Sequence, residues 1–167
     1  MRARSASLLL ILLAVLIQTT LFSVGGIRPL RVAPDLVMVV TIVAARRLDE
    51  DAALLVGFTG GVLADLLASS LLGWRALTLT LGAYMALRTG SRLDLCLASG
   101  AVVVLILSLA GVLLLAVVGT LFGQATLTEP DALRRIMLVP GYNFLLAFLV
   151  QPLVGRALEG KSRSRAL

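Results

Sequence analysis

An aspartate, Asp65, stands inside the apolar run Ala52 to Leu72, and Gly57 and Gly61 precede it at i−8 and i−4. On an α-helix these three residues share one face. An ionised carboxylate at the centre of a bilayer costs about 2.5–3.5 kcal/mol on insertion scales. Asp65 lies toward one end of its run, so its cost is smaller, but the chain still gains by turning it toward protein. The chemistry open to such a group is proton relay, ion coordination or contact with a ligand. The structural reading is a buried carboxylate hydrogen-bonded to Thr, Tyr or Arg of a neighbouring helix. A transport relay usually shows more than one intramembrane ionisable group. Asp65 is nearly alone, which favours the structural reading. Arg75 is the nearest cation in sequence, and Thr78, Thr80 and Tyr84 follow as neutral partners. The glycines admit another helix at close range on the same side.

The remaining polar residues favour packing over catalysis. Gly100, Ser108, Gly111 and Gly119 mark a small-residue face of one apolar run. Asn143 and Gln151, with Ala147 between them, share a face of another, where they are expected to hydrogen-bond across helices. Gln18, Thr19 and Thr20 are expected to do the same. Asp49-Glu50-Asp51 reads as a solvated helix start, its carboxylates favoured at the positive end of the dipole. Thr128-Glu129-Pro130-Asp131 reads as the start of a short outer helix, with Thr128 as cap and Pro130 in the first turn. Pro140 and Pro152 either kink the last run, or its helix begins near Pro140. No Gly-x-Ser-x-Gly, no phosphate-cradling loop with Lys-Ser/Thr and no His-Glu-x-x-His occurs. Histidine is absent, and Cys96 is the single cysteine, so neither an intramolecular disulfide nor a cysteine metal cluster is available. The expectation is a non-enzymatic protein without catalytic, cofactor-binding or metal-ligating residues.

Composition says what must position these groups. The 167 residues are 59% hydrophobic and 14% charged, against about 45–50% and 25% in soluble domains. The chain reads as an all-α integral membrane protein, a single polytopic domain over 1–167. Its six apolar runs span about 7–24, 30–45, 52–72, 74–87, 93–122 and 136–158. The second is short, since roughly 20 residues are needed to cross the hydrocarbon. Gly73 separates the third and fourth, which predicts a tight helical hairpin. The first run resembles a signal peptide only in its basic start. No small-x-small site follows cleanly, and the rest of the chain is polytopic.

The net charge of +6 is not a nucleic-acid signature, because the charges sit at the ends of apolar runs. Arg2, Arg4, Arg46, Arg47, Arg88, Arg92, Arg156, Lys161, Arg163 and Arg165 fall on one side. Arg28, Arg31, Arg75, Arg134 and Arg135 fall on the other. Ten against five predicts six spans with both termini in the cytoplasm. The basic tail from Lys161 then lies on the anionic inner leaflet, each charge contributing on the order of 1 kcal/mol.

Pro34-Asp35-Leu36-Val37, then Gly57-Phe58, Gly61, Asp65-Leu66-Leu67, Ser70, Leu72-Gly73, Arg75-Ala76-Leu77 and Tyr84 occur in an order and spacing that resembles the rod shape-determining protein MreD family. The likeness is densest from Pro34 to Tyr84, and size, span number and basic ends agree over the rest. The resemblance implies a non-enzymatic scaffold of the bacterial elongation machinery in the inner membrane. Such a protein binds the bitopic protein MreC. With it, it links the cytoplasmic MreB filament to peptidoglycan synthesis by RodA and its partner transpeptidase. Gly57, Gly61, Asp65, Gly73, Arg75 and Tyr84 are the candidates for internal bracing or partner packing, with the glycine faces as possible grooves for a partner helix. The family is also similar in fold to the substrate-binding S-components of vitamin transporters, which makes a small-molecule binder the alternative. The Ala-x-x-x-Ala docking face of those proteins is missing between Ser7 and Val24, and Trp74 is the only tryptophan. A membrane enzyme is the remaining possibility.

Overall fold

The computed structural model describes residues 2–21, 32–67, 73–90, 97–123 and 131–159. Among them the chain forms six helices: α1 (Arg2–Leu21), α2 (Leu36–Ala45), α3 (Glu50–Leu67), α4 (Trp74–Gly90), α5 (Leu97–Leu121) and α6 (Ala132–Glu159). Two are long and apolar enough to cross a membrane by length and composition, Leu97–Leu121 and Ala132–Leu158, with mean hydropathies of 3.2 and 1.6. Ser5–Thr20 and Leu36–Ala45 are shorter apolar helices.

The short second helix is the centre of the molecule. α1, α3, α4, α5 and α6 close a ring in which each touches the next, and α2 touches all five. Val37 through Ala45 are buried without exception, so α2 has no outward face. This explains why a helix of only 10 residues, about 15 Å long, stands in a bundle of longer ones. Its Val, Ile and Met side chains are packed on all sides by the neighbouring helices. The run beginning at Leu30 becomes helical only at Leu36, because Pro34 disfavours helix before it and Asp35 caps the helix after it.

A helix that begins inside a bundle must satisfy its first N–H groups there, because a buried donor left without an acceptor is costly. Three side chains accomplish this. The Asp35 carboxylate accepts from Met38 N at 3.1 Å. Gln18 of α1 brackets the turn, donating to Pro34 O at 2.8 Å and accepting from Leu36 N at 2.8 Å. Asn143 of α6 accepts from Asp35 N at 3.0 Å and donates to Ser108 of α5 at 3.0 Å. Gln151 donates to Leu97 O at 3.3 Å. The interhelical roles expected of Gln18, Asn143 and Gln151 are therefore present. Thr19 and Thr20 instead bond carbonyls of their own helix.

The other boundaries arise from local chemistry. Arg46 and Arg47 end α2, and Asp49 O accepts from Ala53 N at 2.9 Å to open α3, with Glu50 and Asp51 exposed in its first turn. The last run is one helix from Ala132 that contains both prolines, rather than a short helix and a second one beginning near Pro140. Pro140 is buried among its neighbours and Pro152 faces outward. Thr128 and Pro130 lie outside the described residues, as do Arg28, Arg31, Arg92 and the basic tail from Lys161. Asp131 O accepts from Arg135 N at 3.0 Å, which fixes the start of α6 there.

Candidate functional site at the starts of α2 and α4

The α3–α4 hairpin is held by Asp65. Its carboxylate, 1% exposed, reaches over the turn to the first N–H groups of α4. Oδ2 accepts from Gly73 N at 2.8 Å, from Arg75 N at 3.1 Å and from Ala76 N at 3.3 Å. Oδ1 lies 3.3 Å from Arg75 N. One side chain from the preceding helix thus does what a local cap normally does, and its negative charge sits at the positive end of the α4 dipole. Gly73 is the residue from which α4 starts: its carbonyl accepts from Leu77 N at 2.9 Å, and its φ of 101° lies in the region that favours glycine.

The glycines one and two turns before Asp65 let this happen. A Cβ on Gly61 would run into the backbone of Ala76, and one on Gly57 would sit 2.8 Å from Leu79 O. The Gly57/Gly61 face is therefore filled by α4 of the same chain. The second small-residue face is filled likewise. A Cβ on Gly111 would strike the Met38 side chain, and one on Gly100 would sit 2.5 Å from Gln151 Oε1 and 2.6 Å from an Arg46 guanidinium nitrogen. Neither face is an open groove for a partner helix.

The expected side-chain partners of Asp65 are corrected. Arg75 meets it through its backbone N–H, whereas the Arg75 guanidinium points to Asp35, with Nη1 at 3.9 Å from Oδ2. Thr78 and Thr80 bond the carbonyls of Trp74 and Ala76 on their own helix. Tyr84 lies toward the other end of α4, where its hydroxyl accepts from Arg88 Nε at 3.2 Å and its ring underlies the guanidinium at 5.1 Å. Gly57, Gly61, Asp65, Gly73 and the backbone of Arg75 form one unit, then, and Tyr84 belongs to another.

Asp35 is the residue whose role in this site sequence reasoning did not assign. It caps α2, accepts the loose ion pair from Arg75, and has its own N–H held by Asn143. A signal exists in the chain: an aspartate after proline and directly before an apolar run is a helix-start pattern. The starts of α2 and α4 thus lie side by side with two carboxylates and one guanidinium between them. Each helix start carries about +0.5 of an elementary charge, so the cluster is close to neutral in itself. Its groups are committed to helix ends and to each other.

Among the described residues the chain is an all-helical bundle built round a buried helix, with two apolar helices long enough to cross a membrane and Asp65, Ser108 and Asn143 buried between helices, an arrangement that fits a membrane-associated structural protein. The model of one family, rod shape-determining protein MreD, matches residues 3–158 of the 167, and the chain belongs to that family. Membership implies a role in rod shape determination. No curated protein and no solved structure matches the chain.

Proposed function

We propose that the chain is a multi-pass, non-enzymatic scaffold of the bacterial inner membrane that binds MreC. Through it, the protein supports peptidoglycan synthesis by RodA and its partner transpeptidase, in register with the MreB filament. All six helices cross or enter the bilayer in this reading, and both termini are cytoplasmic. The family match over nearly the whole chain carries it. Two further observations support it against a vitamin binder of the S-component kind. Gln18, Asp35, Asp65, Arg75 and Asn143, the groups that could grip a polar ligand, are bonded to helix starts or to one another. The glycine faces are closed by the chain's own helices. A partner helix accordingly docks on an outer face of the ring.

Co-purification from native membranes is the test of function. The expected result is stable recovery of MreC with the tagged protein, and no nanomolar binding of thiamine- or biotin-class ligands by the purified chain. Recovery of a transporter module in place of MreC, together with tight vitamin binding, would overturn the scaffold reading. Topology is tested separately by Asp131→Cys in a Cys96→Ser background. The new thiol at the start of α6 should react with an impermeant maleimide added from the periplasmic side. Labelling only from the cytoplasm would reverse the orientation.

A further inference from the structure

The ring has two apolar heights. On α4 the exposed apolar residues Leu77, Leu81 and Met85 lie between Arg75 and Arg88. These arginines are thirteen residues apart, which is about 20 Å of helix. α5 carries no charge over its 25 residues, a length of about 37 Å. The ends are uneven as well as the lengths. From the level at which Gly111 packs near Thr78, α5 continues for about 15 Å to Leu121, while α4 begins about 6 Å away at Trp74. The Trp74 ring bridges the step by meeting Phe122 edge-on at a centroid distance of 4.9 Å.

A bilayer with a hydrocarbon core of about 30 Å cannot match both heights. A helix that is too long fits by tilting, but a helix that is too short only loses height when it tilts. The usual relief for a short helix is for its terminal arginines to extend outward to the headgroups. Here both are held otherwise. The Arg75 guanidinium is turned sideways to Asp35 at 3.9 Å, and Arg88, though exposed, donates to the Tyr84 hydroxyl, lies over its ring and pairs loosely with Glu50 in the first turn of α3 at 4.0 Å. The outer surface between them is mostly bulky, with Leu77, Leu81 and Met85 exposed and Gly82 the partly exposed small residue among them.

We infer that the α4 face of the ring holds a locally thinned bilayer against itself, while the α5–α6 side spans a bilayer of ordinary thickness. The partner of this face is a lipid surface of reduced height. This rests on the proposal that the chain spans the membrane.

The test uses the full chain with Cys96→Ser, reconstituted in dioleoylphosphatidylcholine vesicles. Nitroxide labels replace Leu77, Leu81 or Met85 on α4, and Val102, Leu109 or Val117 on α5. Depth is read from collisions with oxygen and with a polar nickel chelate. The expected result is that Leu77 and Met85 read as headgroup-adjacent and only Leu81 as deep, while all three α5 positions read as apolar. In a second arm, melting is followed in phosphatidylcholines from fourteen- to twenty-two-carbon chains. The wild type should be most stable in the shorter lipids, and Arg88→Leu, which lengthens the apolar stretch, should move the optimum to longer ones. Leu77 and Met85 as deep as Leu81, or an optimum in long chains that Arg88→Leu leaves in place, would overturn the inference. So would spin–spin broadening at Leu81, which would show a second copy covering the face. Nickel access along the whole of α5 would instead sink the membrane-spanning proposal itself.

Discussion

Asp65→Leu is expected to lose most of the folded protein. The leucine removes the acceptor from three N–H groups, those of Gly73, Arg75 and Ala76, in a place where the carboxylate itself is 1% exposed. A buried donor left without an acceptor costs about 1–3 kcal/mol, and the favourable placement of a charge at a helix start adds about 0.3–2 kcal/mol. Part of this is offset because a carboxylate no longer has to be held away from water. The net loss is on the order of 3–5 kcal/mol, comparable to breaking a buried ion pair by removing one partner. Asp65→Asn should be milder. Its carbonyl oxygen can take the place of Oδ2, which receives the closest bonds, while its amide faces Arg75 N and the charge–dipole attraction is gone.

The same geometry predicts that Arg75→Gln does not rescue Asp65→Asn. The guanidinium serves Asp35, and only the backbone of Arg75 serves Asp65. The double mutant should show at most a small recovery in the melting temperature of the purified protein, because the two side chains share no hydrogen bond. A clear recovery in the double mutant would mean that the two side chains are coupled after all. An Asp65→Leu protein that melts with the wild type yet fails to support cell elongation would make the carboxylate a functional group rather than a brace.

Asp65 also shows how far a sequence can be read here. That it must face protein came from the cost of a carboxylate in lipid, and that it lies on the glycine side came from helical spacing. Its actual partners could not be read, because backbone N–H groups carry no residue type and every helix start offers them. Arg75 and Asp35 are forty residues apart and on different helices, so nothing local pairs them. The hairpin at Gly73 was legible from one glycine between two apolar runs, and the positive φ of that glycine is its physical reason.

α2 was legible only as a short run. In a soluble protein, a polar stripe would have shown which side of each helix meets the core. In lipid, tails and core are equally apolar, so the sequence of a membrane helix loses that mark. Val37 to Ala45 could have faced lipid on composition alone, and only their packing against all five neighbours shows that they do not. The glycine faces carried the opposite ambiguity. Close approach was certain from the residue type, but not whether the approaching group is a helix of this chain, as at Gly57 and Gly61, or side chains such as Met38 and Arg46, as at Gly111 and Gly100.

That distinction sets the order of effects among the glycines, and the largest is expected at Gly61. A Cβ there would overlap the Cα and N of Ala76 and approach the Arg75 carbonyl carbon at 2.7 Å. These are backbone atoms of a helix start, with no rotamer to change, so α4 as a whole has to move. Moving it draws the N–H groups of Gly73, Arg75 and Ala76 away from Asp65. Gly61→Ala should therefore cost more than the roughly 1–3 kcal/mol of an ordinary overpacked site, and Gly61→Val should abolish accumulation in the membrane. Gly111→Ala meets chiefly the end of the flexible Met38 side chain, which can turn aside, and should cost less than about 1.5 kcal/mol. Yield from membranes and detergent melting temperature, measured side by side, test the ranking. If Gly61→Ala and Gly111→Ala behave alike, or Gly61→Val folds and supports elongation, then α3 and α4 are not in backbone contact, and the face that bears Gly57 and Gly61 is free to receive a partner's helix.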